Sequence, residues 1–156
     1  MSRHRWLPVL VALLPTAGLA APPVPDIAGQ YRAAGTGMVV AIGSCAHGRM
    51  CGRIVGLGAL PPTDANNPAP ALQDRPLCGI AVLDDLEWQN GSWRGGFYEP
   101  RNGTNYTISV TPLANGAVRV TGYSGQPVLS RTLSRGFEVW ERITEPAASC
   151  GAATTS

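Results

Sequence analysis

Three Asn-Gly pairs, Asn90-Gly91, Asn102-Gly103 and Asn115-Gly116, divide the second half of the chain into short runs. Both residues tolerate the positive φ that the tightest hairpin turns demand, so each pair predicts antiparallel strands on either side. The runs between them alternate. Tyr106, Ile108 and Val110 are interleaved with Thr107, Ser109 and Thr111, and Val118 and Val120 with Arg119 and Thr121. Phe137, Val139 and Ile143 share one face of the last run, with Trp140 and Arg142 on the other. A period of two is that of a strand with unlike faces. Earlier strand-like runs cover residues 27–33, 38–45, 51–57, 78–83 and 92–98, and another lies near 128–133. The expectation is an all-β fold: a single antiparallel meander β-barrel of about eight to nine strands, the number that closes around side chains or one small ligand. A two-sheet sandwich is the alternative, because short alternating strands suit both.

The first residues read as an address. Arg3 and Arg5 form a positive start, Leu7 to Leu14 an apolar stretch, and Gly18-Leu-Ala20 a small-x-small cleavage site. The apolar stretch is short and broken by Pro8 and Pro15, whereas a spanning helix needs ~20 apolar residues. Residues 1–20 are therefore expected to be a cleaved signal peptide, with one domain over 21–156 and no stable membrane insertion afterwards. Cleavage after Ala21 would leave Pro22 directly behind the scissile bond. Two of the 12 basic residues lie in the leader, which leaves 10 Arg against 10 Asp and Glu. A balanced chain with no basic run has no grip on phosphate backbones, and nucleic acid is not an expected partner.

Cys45, Cys51, Cys78 and Cys150 all follow the leader. An even count in an exported chain reads as disulfides. Cys45 and Cys51 flank a short polar segment between apolar runs, which puts them on opposite arms of a hairpin within bridging range. Cys78 is then expected to pair with Cys150 and tie down the C-terminal tail. Loop entropy assigns roughly 2 kcal/mol to the short ring and roughly 4 to the long one.

Pro61, Pro62, Pro68, Pro70 and Pro76 mark a proline-rich loop over 58–76. A loop this long inside a compact domain is unusual and often functional. Proline stiffens it, and Asp64 and Asn67 can build Asx-turns within it. Asp64 facing Arg75 predicts a charge-assisted clamp across the loop.

Other candidates point to little chemistry. His47 between Cys45 and Cys51 supplies three ligands where a structural zinc site wants four, and an oxidised cysteine pair removes two of them. Asp84, Asp85 and Glu87 read as a solvated hairpin end, and Ser124 lacks the spacing of a nucleophile elbow. Asn90, Asn102 and Asn105 fit the glycosylation pattern, but turn chemistry already explains the first two. No cofactor or metal is expected, and no catalytic constellation stands out.

Cys45, Cys51-Gly52, Asp64-Ala-Asn-Asn-Pro68 and Arg75-Pro-Leu-Cys-Gly79 follow one another in order, and Trp93, Gly96, Tyr98-Glu-Pro100, Gly103 and Tyr106 come after them. This series resembles the exported bacterial family called domain of unknown function 2147. The resemblance implies a small barrel related to lipocalins and fatty-acid-binding proteins and an exported location, periplasmic or secreted, with no assigned reaction. Gly29-Gln-Tyr31 is similar to the Gly-x-Trp opening of lipocalin-type chains, and Arg142 resembles the arginine that packs over that aromatic.

The functional expectation is a carrier of a small apolar or amphipathic molecule that does no catalysis. Ligand-side residues are expected from Trp93, Tyr98 and Tyr106 and from the loop residues Asp64, Asn67 and Arg75. The alternative is an envelope protein-binding module, an inhibitor or stress-response factor, with a filled barrel. A closed interior pocket of ~300 Å³ or more, lined by those aromatics, fits the carrier, and a solid interior fits the binding module.

Overall fold

The computed structural model describes residues 22–124, 133–145 and 150. Among the described residues, eight antiparallel strands follow one another around a closed barrel. They are β1 (Gly29–Ala33), β2 (Val39–Ser44), β3 (Met50–Gly56), β4 (Ala81–Gln89), β5 (Ser92–Glu99), β6 (Thr104–Pro112), β7 (Val118–Ser124) and β8 (Leu133–Ile143). β1 pairs with β8, Tyr31 opposite Arg142, so the sheet has no free edge and is not a sandwich. The leader, residues 1–20, lies outside the described residues. So do residues 128–132 of the expected run near 128–133, whose Leu133 instead opens β8.

The turns bear the Asn-Gly pairs out in two forms. Asn90 and Gly91 both have positive φ (49° and 82°), the two-residue hairpin. Gly103 and Gly116 take the left-handed conformation alone, closing longer turns through Gly103 N–H to the Glu99 carbonyl and Leu113 N–H to the Ala117 carbonyl, both 2.9 Å. β4 corrects the sequence reading. It begins at Ala81 rather than Cys78 and runs on to Gln89, so Asp84, Asp85 and Glu87 lie inside a strand. The register slips between Asp84 and Glu87, and Asp85 takes φ 51°, the mark of a bulge that turns consecutive acidic side chains to solvent.

One end of the barrel is a packed floor. Ile42, Met50, Leu86, Trp93, Val110 and Val118 are buried there, each full burial stabilising by about 1.5–3 kcal/mol. Tyr31 is 1% exposed, and the Arg142 guanidinium sits 5.7 Å above its ring and donates to the Ala28 carbonyl at 2.5 Å. Gly29 between them has φ 149°, and a Cβ there would come within 2.8 Å of the guanidinium. That contact is why a glycine precedes the aromatic. Burial pushes the Tyr31 phenol up in pKa, with Arg142 working the other way. The Trp93 indole N–H reaches the Pro25 carbonyl at 3.1 Å and fastens the segment before β1 across this end.

Cys45 and Cys51 form the expected disulfide across the β2–β3 hairpin, with Cα atoms 5.8 Å apart. Cys78 and Cys150 meet, but as free thiols rather than as the expected bridge. The Cys78 thiol is turned to the Cys150 carbonyl at 3.0 Å, and the Cys150 N–H donates to the Val55 carbonyl at 2.9 Å. Burial, and then the neighbouring Cys78, push the Cys150 thiol up to about 11.

Candidate functional site

The β5–β6 hairpin decides where the site lies, because its alternation sends neighbouring aromatics to opposite faces. Phe97 lies opposite Tyr106, and Tyr98 opposite Asn105. Phe97 and Tyr106 turn into the barrel. Tyr98 turns out.

The inner face opens into a cavity of about 480 Å³ at the end opposite the floor. Phe97, Tyr106, Ile108 and Val120 form its apolar wall, and Trp140, only 1% exposed, lies deepest. The Phe97 and Trp140 rings meet edge-to-face at 6.0 Å, an arrangement that fixes both. The rim is polar. Arg101 grips Glu99 through Nε at 3.0 Å and a terminal nitrogen at 2.7 Å, and Asn102 donates to the Tyr106 hydroxyl at 2.9 Å. The hydrogen bonds to Glu99 raise the already high Arg101 pKa further. Glu138 accepts from the Trp140 indole at 3.1 Å and from the Gly35 N–H, strapping the β1–β2 turn to β8.

The outer face of the same hairpin carries a different cluster. Asp64 is 0% exposed and accepts from the Tyr98 hydroxyl at 2.5 Å, Asn67 at 2.8 Å and Arg75 Nε at 2.9 Å. A terminal Arg75 nitrogen approaches the same carboxylate at 2.8 Å. Backbone bonds from Asp64 N–H to the Arg75 carbonyl (3.0 Å) and from Asn67 N–H to the Asp64 carbonyl (2.9 Å) close the loop on itself. Burial alone would raise the Asp64 pKa. The hydrogen bonds from Tyr98, Asn67 and Arg75, with the Arg75 charge, outweigh it and hold the carboxyl below its ordinary value. Burial and the Asp64 carboxylate push the Tyr98 phenol up. The loop tip rests on the hairpin turn, where Asn66 donates to the Arg101 carbonyl at 3.0 Å. Gly103 leaves room for it, since a Cβ there would lie 2.0 Å from the Asn66 carbonyl oxygen.

Of the six residues expected at a ligand, Tyr106 alone lines the mouth cavity. Asp64, Asn67 and Arg75 are brought together with Tyr98, but as a clamp on the outer face. Trp93 lies at the floor, edge-to-face with Trp88 at 5.7 Å, beside a second cleft under Val24 and Pro25. Phe97, Ile108, Val120 and the charged rim were missed. Their signal was parity with Tyr106, which places the same strand positions on one face. His47 is exposed in the β2–β3 turn at the far end, its neighbouring cysteines bonded to each other. In the Cys45, Cys51 and Asp85 group, both sulfurs are thereby used.

A family model described as "Uncharacterized protein conserved in bacteria (DUF2147)" matches residues 29–142, and the chain belongs to that family. Among solved structures, protein HP1028 of the human pathogen Helicobacter pylori, described as belonging to the lipocalin family, is similar in fold. The likeness has a TM-score of 0.63 at 20% identity and covers 78% of this chain and 86% of that one. No curated protein matches the chain.

Proposed function

We propose that this member of the uncharacterised bacterial family is an exported binding protein. Its open half takes up a small apolar or amphipathic molecule without transforming it. The observation that carries the reading is the mouth cavity, about 480 Å³, apolar within and polar at its rim. Small-molecule sites occupy roughly 300–1,000 Å³ and combine an apolar lining with a few polar groups. The lipocalin-like barrel is compatible with such a role. The rim groups are committed to one another, Glu99 to Arg101 and Asn102 to Tyr106, which suits orienting a ligand more than moving its protons. The rival role, a loop presented to a protein partner, draws less support, because Asp64 and Asn67 are buried in their own clamp.

Native mass spectrometry of protein purified from its own envelope tests the reading, together with titration of tryptophan fluorescence through Trp140. A co-purified small molecule, and a saturable signal weakened by Phe97→Ala, are expected. A ligand-free protein whose fluorescence no apolar or amphipathic compound changes would sink it. Export has its own readout. Cys78 and Cys150 are neighbours, and we expect an oxidising compartment to join them. Protein taken from the envelope without reductant should then offer no thiol to alkylation, whereas two reactive thiols would count against an oxidising location.

A further inference from the structure

The charges around the mouth do not cancel, and their imbalance points to the head group of the ligand. Among the described residues, two carboxylates line the cavity, Glu99 and Glu138, against one guanidinium, Arg101. Arg101 is held by Glu99 in a two-pronged contact, and its backbone N–H also donates to the Glu99 carboxylate at 3.2 Å. That pair is internally neutral. Glu138 is bound by two neutral donors, the Gly35 N–H and the Trp140 indole, which fix its position without cancelling its charge. Arg101 is near enough to feel Glu138, but its contacts go to Glu99. Among the described residues, Arg119 lies on the outer face, 5.1 Å over the exposed Phe137 ring. The mouth therefore carries, among the described residues, one carboxylate, Glu138, without a cation bound to it, above a wall of Phe97, Tyr106 and Trp140.

A preset carboxylate beside aromatic rings is the environment that favours an organic cation, through ion pairing at the rim and the negative ring faces below. Resting on the ligand-binding reading above, we infer that the preferred ligand is an amphiphile with an amine or quaternary ammonium head. The head lies at Glu138 and the apolar body against Phe97, Ile108 and Val120. An anionic amphiphile such as a fatty acid meets Arg101 with its charge already paired to Glu99.

The test compares decyltrimethylammonium, decanol and decanoate below their micelle concentrations, each titrated against tryptophan fluorescence and by calorimetry. The cation is expected to bind roughly tenfold tighter than decanoate and tighter than decanol, the order that one partly solvated ion pair with an aromatic contact supplies. Its advantage should shrink as salt is added. Glu138→Gln keeps an acceptor for the Gly35 N–H and should cut the cation's affinity while leaving decanol unchanged. Glu99→Gln, which frees Arg101, should move the preference toward decanoate and serves on its own where Glu138→Gln does not fold. Decanol or decanoate binding as tightly as the cation would overturn the charge inference and leave the binding reading standing. Failure of all three to bind would overturn the binding reading itself.

Discussion

Tyr98 and Tyr106 stand on one hairpin, β5–β6, and lead opposite lives. The Tyr98 hydroxyl is locked at 2.5 Å to a fully buried carboxylate that three other contacts hold in place. The Tyr106 hydroxyl takes one hydrogen bond from the exposed Asn102 and otherwise borders an open cavity. The chemistry of the two side chains is the same. A single step in strand parity separates a group that holds the fold together from one that is free to meet a ligand. The outer face of this hairpin holds the buried clamp, and the inner one borders the open cavity.

Substitutions can break that division, and they rank by how much of the clamp they remove. Asp64→Ala strands three donors at once and is expected to cost about 2–4 kcal/mol, read from denaturant midpoints, while the mouth still binds. Combined with Arg75→Ala, the total should fall clearly short of the two single losses added; additive losses would show that the clamp carries no coupling. Gly103→Ala forces a side chain into a left-handed position and against the Asn66 carbonyl, for about 2 kcal/mol. Tyr98→Phe removes one charge-assisted bond, for about 1–2 kcal/mol.

Acid should expose the same cluster. Asp64 is depressed below its ordinary value of 3.8 in the folded protein. Its contribution is fully present above that ordinary value, where folded and unfolded chains both ionise. It is lost as the pH falls through the lower, folded value, because the unfolded chain takes up the proton first. Asp64→Asn should flatten that limb of the stability–pH curve, and an unchanged acid limb would remove Asp64 as its cause. The smallest effect belongs to the inner face. Tyr106→Phe should change stability by under ~0.5 kcal/mol, yet alter binding; a loss as large as that of Tyr98→Phe would erase the contrast between the two faces.

Much of the barrel was legible because hairpin turns and alternation are local. Asn90-Gly91 named its turn type, and Thr104–Pro112 announced its two faces residue by residue. The Asp64–Arg75 clamp and the Tyr31–Arg142 closure were legible too, the first from opposite charges in a stiff loop and the second from the resemblance of Gly29-Gln-Tyr31 and Arg142 to lipocalin-type chains. The site was less so. Grouping Trp93, Tyr98 and Tyr106 by residue type ignored that adjacent positions face opposite ways and that Trp93 starts its strand at the other end of the barrel. β4 resisted as well, because a bulge at Asp85 interrupts the alternation that would have extended it past Leu83. Acidic residues in mid-strand look like a strand end until the slip is seen.

The seam between β1 and β8 also has a consequence in time. The Arg142 side chain meets the Ala28 carbonyl across 114 residues of sequence, so the first strand waits for the last to complete it. Until residues 133–143 arrive, β1 has only β2 beside it, and the nascent sheet keeps two unsatisfied edges open to strangers. Contacts so distant along the chain form slowly, on the millisecond-to-second scale of all-β domains. A chain arranged this way closes its barrel only once residues 133–143 are there to pair with β1.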